Sequence, residues 1–187
     1  AKIESTQDSL KNVGDALSIR VLDQMTSFKR LIDPTFVLPH RLLQSAEEED
    51  AFTLIALYCD QLKPDSGTFF PILRQEMVTG DYRLTHALLA YVWLAEHHCF
   101  SSEEMQFLKE ELISSNYRLF ARFPDWIDLK IESAALLQAS GEDLPEVWVE
   151  ELIGAYQVDG GWRKDKHQSQ SEGHATLLAL WLIAGSK

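Results

Sequence analysis

The fold of this chain is decided by two stretches near its end, Gln157-Val158-Asp159-Gly160-Gly161-Trp162 and Gly173-His174-Ala175-Thr176-Leu177-Leu178-Ala179-Leu180-Trp181. The first predicts a tight turn, because glycine adopts backbone conformations closed to other residues and an Asp side chain caps a neighbouring amide. The second predicts a short apolar helix that opens on a histidine. Between them lies a polar loop over residues 163–172, which we interpret as an ordinary surface loop, with a lid over a cavity mouth as the alternative.

The apolar stretch has three earlier counterparts in the same frame. The stretch from residue 174 ends on Trp181, and two of its counterparts end on Trp93 and Tyr58. Repeats spaced by roughly 35 to 46 residues are typical of stacked helix pairs, in which no single pair buries its apolar face alone. The four copies begin at Ala51, His86, Glu132 and His174.

The rest of the chain shows the three-and-four spacing of apolar residues that predicts amphipathic helices, with no sustained period-two alternation. We therefore expect one all-α domain over residues 1–187, built from about four α-hairpins that form a partial or small α/α toroid. The expected pairs are 6–31 with 46–61, 71–79 with 82–98, 102–121 with 127–140, and 145–156 with 174–185.

Composition narrows the classes of partner. The net charge of −12 argues against nucleic acid, because phosphate binding needs clustered Lys and Arg. No stretch reaches the roughly 18 apolar residues that predict a membrane span. An apolar small molecule, a protein partner or a second copy of the chain all remain open as partners.

The two cysteines bear on the compartment. Cys59 and Cys99 both fall in helical patterns, which favours buried free thiols over a disulfide. The sequence begins at Ala1 without Met, which fits a cleaved secretory signal or a shortened chain. The compartment stays open, with the cytoplasm favoured and a periplasmic or secreted location expected if a signal preceded Ala1.

The terminal turn, together with its longer relative Gln61-Leu62-Lys63-Pro64-Asp65-Ser66-Gly67-Thr68-Phe69, resembles the Gln/Trp repeat of squalene-hopene cyclases. It is also similar to the Asp-Gly-Gly-Phe turns of protein prenyltransferase β-subunits. The resemblance implies an α/α toroid in which such turns lead into inner helices, and the inner helices line a central apolar cavity. We interpret Gln157 and Trp162 as structural residues of the turn.

The catalytic motifs of that superfamily are absent from this sequence. It contains neither the Asp-x-Asp-Asp proton donor of the cyclases nor an Asp-Asp-x-x-Asp magnesium motif. His174 stands where the resemblance places the zinc-binding histidine of the prenyltransferases, but the chain has no Asp-x-Cys pair to accompany it. Neither activity is therefore carried over.

Three residues share one repeat position, near the starts of three predicted inner helices: His86, Glu132 and His174. Such a set could hold a metal ion or exchange protons with a bound ligand, and these residues are the candidate catalytic set. The competing interpretation is that each side chain satisfies its own helix end. No cofactor is indicated by the sequence.

Other groups carry weaker signals. The run Glu96-His97-His98-Cys99 contains metal-ligand types, but consecutive helical residues diverge by about 100° and cannot converge on one ion. We interpret it as a helix C-terminus. If a cavity exists, three aromatic residues are candidates to line it: Tyr91, Trp93 and Trp181.

The missing motifs favour a non-catalytic binding or interaction module with an apolar concave face. The alternative is a small prenyltransferase-like or terpene cyclase-like enzyme that acts on an isoprenoid or another apolar ligand. An enclosed apolar pocket above about 300 Å³ beside the candidate set would favour the enzyme. A filled centre, or an open crescent with an exposed apolar patch, would favour the module or a homodimer.

Overall fold

A computed structural model describes residues 26–45 and 48–186, and within these residues the chain forms helices and no strand. The all-α prediction is therefore confirmed, while the predicted helix over 6–31 lies largely outside the described residues. After a 3₁₀ turn at Lys29–Leu31 the helices are α1 (His40–Ser45), α2 (Glu48–Leu57), α3 (Cys59–Leu62), α4 (Ser66–Thr79), α5 (Asp81–Glu96), α6 (Ser102–Ala121), α7 (Asp128–Ala139), α8 (Glu146–Gly154) and α9 (Gly173–Gly185).

Four of these helices contain the four copies of the apolar repeat, and they are neighbours in chain order. Helix α2 packs on α5, α5 on α7, and α7 on α9. Helices α4 and α6 pack against α5, and α6 also packs against α7. Helix α5 therefore lies among α2, α4, α6 and α7. It contains the copy of the repeat that begins at His86, and most of its apolar side chains are buried.

The turn over residues 157–162 forms as the sequence predicts. Gly160 has a φ of +102°, and its amide donates to the carbonyl of Gln157 at 3.1 Å. The Trp162 side chain is 3% exposed, and its Nε1 donates to the carbonyl of Leu152 at 2.7 Å. The indole therefore joins the turn to the end of α8. Across the loop, Trp162 and Glu172 form an isolated β-bridge.

The earlier relative of this turn is short, because only residues 63–65, with Lys63 at a φ of +49°, separate α3 from α4; the predicted helix start at residue 71 is wrong. Asp65 caps the helix by accepting from the Thr68 amide at 2.9 Å, and α4 therefore begins at Ser66 rather than at Pro71. Gly67 consequently lies inside a helix. Gln61 does bind a neighbouring backbone, because its Nε2 donates to the carbonyl of Phe36 at 3.0 Å.

Cys59 and Cys99 form a disulfide, so the expectation of free thiols is wrong. The two residues are 40 positions apart, but the packing of α2 on α5 brings their Cα atoms to 6.0 Å, within bridging distance. Disulfides of this kind persist in oxidising compartments. Two separate helical patterns in a sequence do not show which of their ends will meet.

Helices α2, α5, α7 and α9 pack side by side as a row, and the helices at its two ends differ in which residues pack over them. At the α2 end, the hydroxyl of Tyr58 donates to the carbonyl of Ser27 at 2.9 Å, and Arg30 binds the Asp60 carboxylate at 2.7 Å. At the α9 end, large apolar side chains face solvent. No helix in the described part of the chain has both the length and the apolar character needed to cross a bilayer.

Candidate functional site

A cluster of polar side chains lies where the first turns of α5, α7 and α9 meet. Asp128 and Glu132 are four residues apart on α7, so both carboxylates lie on one face of that helix. His174 is the second residue of α9, which packs on α7. The helices that carry the repeat thus bring side chains from distant parts of the chain to one place, with Tyr82 and His86 contributed by α5.

Asp128 joins all three helices. Its Oδ1 lies 2.8 Å from Nδ1 of His174, and its Oδ2 accepts a hydrogen bond from the Tyr82 hydroxyl at 2.6 Å. The Asp128 side chain is only 3% exposed, whereas the His174 side chain is 48% exposed. The cluster is therefore held by a buried carboxylate and opens to solvent through an imidazole.

Glu132 lies deeper and is less completely paired. Its Oε1 is 3.6 Å from Nε2 of His86, and its side chain is 4% exposed. Its Oε2 has no hydrogen-bond partner among the described residues. The neighbouring Thr85 hydroxyl donates to the carbonyl of Tyr82 at 2.8 Å and lies close enough to Glu132 to oppose the rise in its pKa.

Burial and the neighbouring charges shift the titration of the cluster. Burial raises the pKa of Glu132 to about 7, although the nearby His174 opposes the shift. The hydrogen bond that His174 donates to the Asp128 carboxylate raises the pKa of His174, because it favours the imidazolium. Burial, followed by the hydrogen bond to Asp128, raises the pKa of the Tyr82 hydroxyl.

The structure brings together the three residues that the repeat frame singled out. His86 approaches Glu132, and one ligand atom each from Asp128, Glu132 and His174 lies within 4.8 Å of the others. Sequence reasoning missed Asp128 and Tyr82. A signal was present, because each stands one helical turn before a predicted residue on the same face, Asp128 before Glu132 and Tyr82 before His86.

The three candidate lining aromatics are placed very differently. Tyr91 and Trp93 are each 8% exposed and belong to the packed core, where Trp93 contacts Phe28. Trp181 is 45% exposed, beside Leu177 at 67% and Leu180 at 54%. Only Trp181 of the three is therefore accessible to a ligand without rearrangement of the core.

The run Glu96-His97-His98-Cys99 is a helix end, as its sequence indicates. Helix α5 stops at Glu96 with His97 as its C-cap, and Cys99 is bonded to Cys59. Within the described part of the chain, three metal-ligand types converge at Asp128, Glu132 and His174 and not at this run. The lid role of the loop over 163–172 stays a prediction.

Two surface grooves among the described residues lie away from the cluster. One of about 690 Å³ runs along α6 between Ile113, Tyr117 and Glu142, and another of about 510 Å³ lies between Leu144, Ile153 and Gly185. Neither is lined by a residue of the cluster. The cluster is thus a partly open surface site at the first turns of three helices.

No known family model, curated protein or solved structure matches this chain. What the cluster does is therefore inferred from its geometry and its surroundings.

Proposed function

We propose that the protein is a non-catalytic binding module, built as a short α/α toroid-type array. Its ligand is an apolar small molecule with a polar head, which lies along the exposed face of α9 with its head at the polar cluster. The contacts of α2, α5, α7 and α9 in chain order support the array, because inner helices of a toroid follow one another around an axis in this way.

The difference between the two ends of the row supports a binding role for α9. Terminal units of a helical array need a polar outer face for solubility. Residues 173–185 contain no charged side chain other than the imidazole of His174, and a helix that is apolar all round is normally buried. The α2 end is covered by residues 26–38, whereas Leu177, Leu180 and Trp181 of α9 are exposed and no other described residue is packed over them.

The observation that carries the proposal is the alignment of His174, Leu177 and Trp181. Positions three, four and seven apart share one side of a helix, so these residues form a stripe on α9. The stripe begins at the polar cluster and continues over two large exposed apolar side chains. A molecule lying along it would place one end against the imidazole and carboxylates and the rest against Leu177 and Trp181.

The chemistry of the cluster favours a head that donates a hydrogen bond. Asp128 and Glu132 are carboxyl groups, and Oε2 of Glu132 lacks a donor among the described residues. The carboxyl oxygens can accept the proton of an alcohol head, whereas a carboxylate head has no proton to donate to them. A long-chain alcohol is thus the simplest matching ligand.

Titration with 1-decanol, read by tryptophan fluorescence, tests the proposal. Trp181 is the most exposed of the five tryptophans, so its emission should shift to the blue on binding. The protein should first be dialysed against a chelator. Decanoate is the control ligand, because it has the same chain length as decanol but a carboxylate in place of the hydroxyl. We expect decanol to bind and decanoate to bind at least about tenfold more weakly.

A pair of variants distinguishes decanol binding at the α9 face from non-specific hydrophobic binding elsewhere on the surface. Leu177→Ser removes apolar contact from the stripe and should weaken decanol binding about tenfold, the effect of losing one buried aliphatic side chain. Ile153→Ser, on α8, changes a side chain that is 53% exposed and should leave binding unchanged. Equal losses in both variants, or no binding by the parent protein, would end the proposal.

Two other outcomes would replace this proposal with a different one. A concentration-dependent dimer that Leu177→Ser abolishes would make a second copy the occupant of the α9 face. Chemical turnover of an isoprenoid alcohol, detected by mass spectrometry of the extracted ligand, would favour the enzyme instead. The Asp128–His174 pair is the arrangement that such an enzyme would use to orient its imidazole.

A further inference from the structure

Three side chains of metal-ligand types converge at the first turns of α7 and α9. One ligand atom each from Asp128, Glu132 and His174 lies within 4.8 Å of the other two. Ligand atoms about 2.0–2.2 Å from one tetrahedral ion lie roughly 3.3–3.6 Å from each other, so a closure of about an ångström would bring these atoms to a shared ion. The three positions therefore need little movement to share a single cation.

The buried Glu132 carboxylate is the observation that distinguishes this cluster from an ordinary acidic patch. Its side chain is 4% exposed, yet Oε2 has no hydrogen-bond partner among the described residues. A buried polar atom without a partner is unfavourable by roughly 1–3 kcal/mol, and more when it is charged. Buried charges in proteins are paired or coordinate metal ions, so a cation is one partner that would satisfy this oxygen.

The groups around the three residues are arranged as supports for metal ligands. The Tyr82 hydroxyl donates to Oδ2 of Asp128 at 2.6 Å and so fixes the orientation of that carboxylate. His86 lies 3.6 Å from Oε1 of Glu132, where its imidazole can hold the second carboxylate or supply a fourth ligand. Hydrogen bonds of this kind orient the ligands of metal sites and affect their affinity.

The ligand types indicate which ion would bind. Two carboxylates and an imidazole suit a divalent transition metal such as Zn²⁺, whereas Mg²⁺ prefers oxygen ligands alone. Two ionised carboxylates would be neutralised by one divalent charge. The His174 side chain is 48% exposed, so an ion can reach the cluster and keep a coordination position open to solvent.

We propose that Asp128, Glu132 and His174 bind one divalent transition-metal ion of the Zn²⁺ type at the first turns of α7 and α9. The site does not depend on the apolar face of α9, and its test uses no apolar ligand.

Calorimetric titration of the chelator-treated protein with ZnCl₂ tests the site. We expect one ion per chain, a dissociation constant of micromolar or tighter, and a rise in melting temperature with added Zn²⁺. MgCl₂ should bind at least about a hundredfold more weakly. Absence of Zn²⁺ binding, or equal affinity for Mg²⁺, would overturn the assignment.

Variants locate the ion. His174→Ala changes a half-exposed side chain, and Glu132→Gln keeps the shape of the buried one, so folded protein is expected in both and circular dichroism checks it. Each changes a ligand and should weaken Zn²⁺ binding by at least about tenfold, because losing a ligand costs no less than losing an outer hydrogen-bond partner. His167→Ala is the matched control, because His167 is exposed in the loop and outside the cluster. Zn²⁺ binding that survives unchanged in the two folded cluster variants would contradict the proposal.

Discussion

Oδ1 of Asp128 lies 2.8 Å from Nδ1 of His174, although the two residues are 46 positions apart in the sequence. This contact joins the first turn of α7 to the first turn of α9. The other oxygen of the same carboxylate accepts from Tyr82 at 2.6 Å, which adds α5 to the connection. One buried carboxylate therefore holds three helices in register at the candidate site.

Replacing Asp128 tests this connection. Asp128→Ala leaves the Tyr82 hydroxyl and the His174 ring without their acceptor, and we expect a loss of about 1–3 kcal/mol in the free energy of unfolding. Tyr82→Phe removes one donor and should cost about 1 kcal/mol. Urea denaturation monitored by circular dichroism measures both. Equal stability of Asp128→Ala and the parent protein would show that the carboxylate does not join the helices.

The titration of Glu132 predicts how stability depends on pH. Its pKa in the folded protein is about 7, above the ordinary value of 4.5, so the folded state holds the proton more tightly than the unfolded state does. The stabilisation is complete below about pH 4.5 and is lost as the pH rises through 7. We expect Glu132 to account for a decrease of about 3 kcal/mol across this window.

Glu132→Gln isolates that contribution, because the amide does not titrate and His174 is unchanged. Denaturation of chelator-treated protein at several pH values from 4.5 to 8 should show a flatter profile for the variant. Parallel profiles for the two proteins would mean that burial does not shift the pKa of Glu132.

The disulfide predicts a redox dependence of stability. Cys59 and Cys99 close a loop of 40 residues, and a bridge over a loop of this size stabilises by about 3–4 kcal/mol in the chain-entropy treatment. A reducing agent should lower the melting temperature of the parent protein and leave a Cys59→Ser, Cys99→Ser variant unaffected. Thiol labelling under denaturing, non-reducing conditions should find no reactive cysteine. Two labelled thiols in protein made in an oxidising compartment would refute the bridge.

Close packing predicts that Gly161 does not tolerate a side chain. A Cβ there would collide with the Thr176 and Ser171 side chains. Gly161→Ala should therefore destabilise by about 1–3 kcal/mol, the usual effect of overpacking. Gly154→Ala is the control, because nothing lies within 4 Å of its Cβ position and alanine favours a helix. Thermal denaturation should lower the melting temperature of the first variant only.

The sequence predicted much of the secondary structure because helix signals are local. The capping box of α6 illustrates this: the Ser101 amide donates to the Glu104 carboxylate at 3.1 Å, as the spacing of the two residues indicates. The start of α4 was misplaced because Pro71 is tolerated inside a helix that Asp65 already caps. A proline signal and a capping signal competed, and the hydrogen bond at the cap decided between them.

The candidate site was predictable only in part. The repeat frame identified His86, Glu132 and His174, since equivalent positions of stacked repeats lie near one another. It did not identify Asp128, because Asp128 does not occupy the repeated position. The Asp128 carboxylate nevertheless contacts His174 at 2.8 Å. Pairing between side chains depends on their distances in the tertiary structure, and the spacing of residues in the sequence does not give those distances.

The sequence by itself determined that the described chain is helical, where most of its helices begin and end, and which three residues share the repeat position. Only the tertiary structure decided that Cys59 and Cys99 are bonded, that Trp93 is buried while Trp181 is exposed, and that Asp128 belongs to the cluster. The physical reason is one of range. Propensity, capping and turn geometry act over a few residues, whereas burial and pairing depend on which surfaces of distant helices meet.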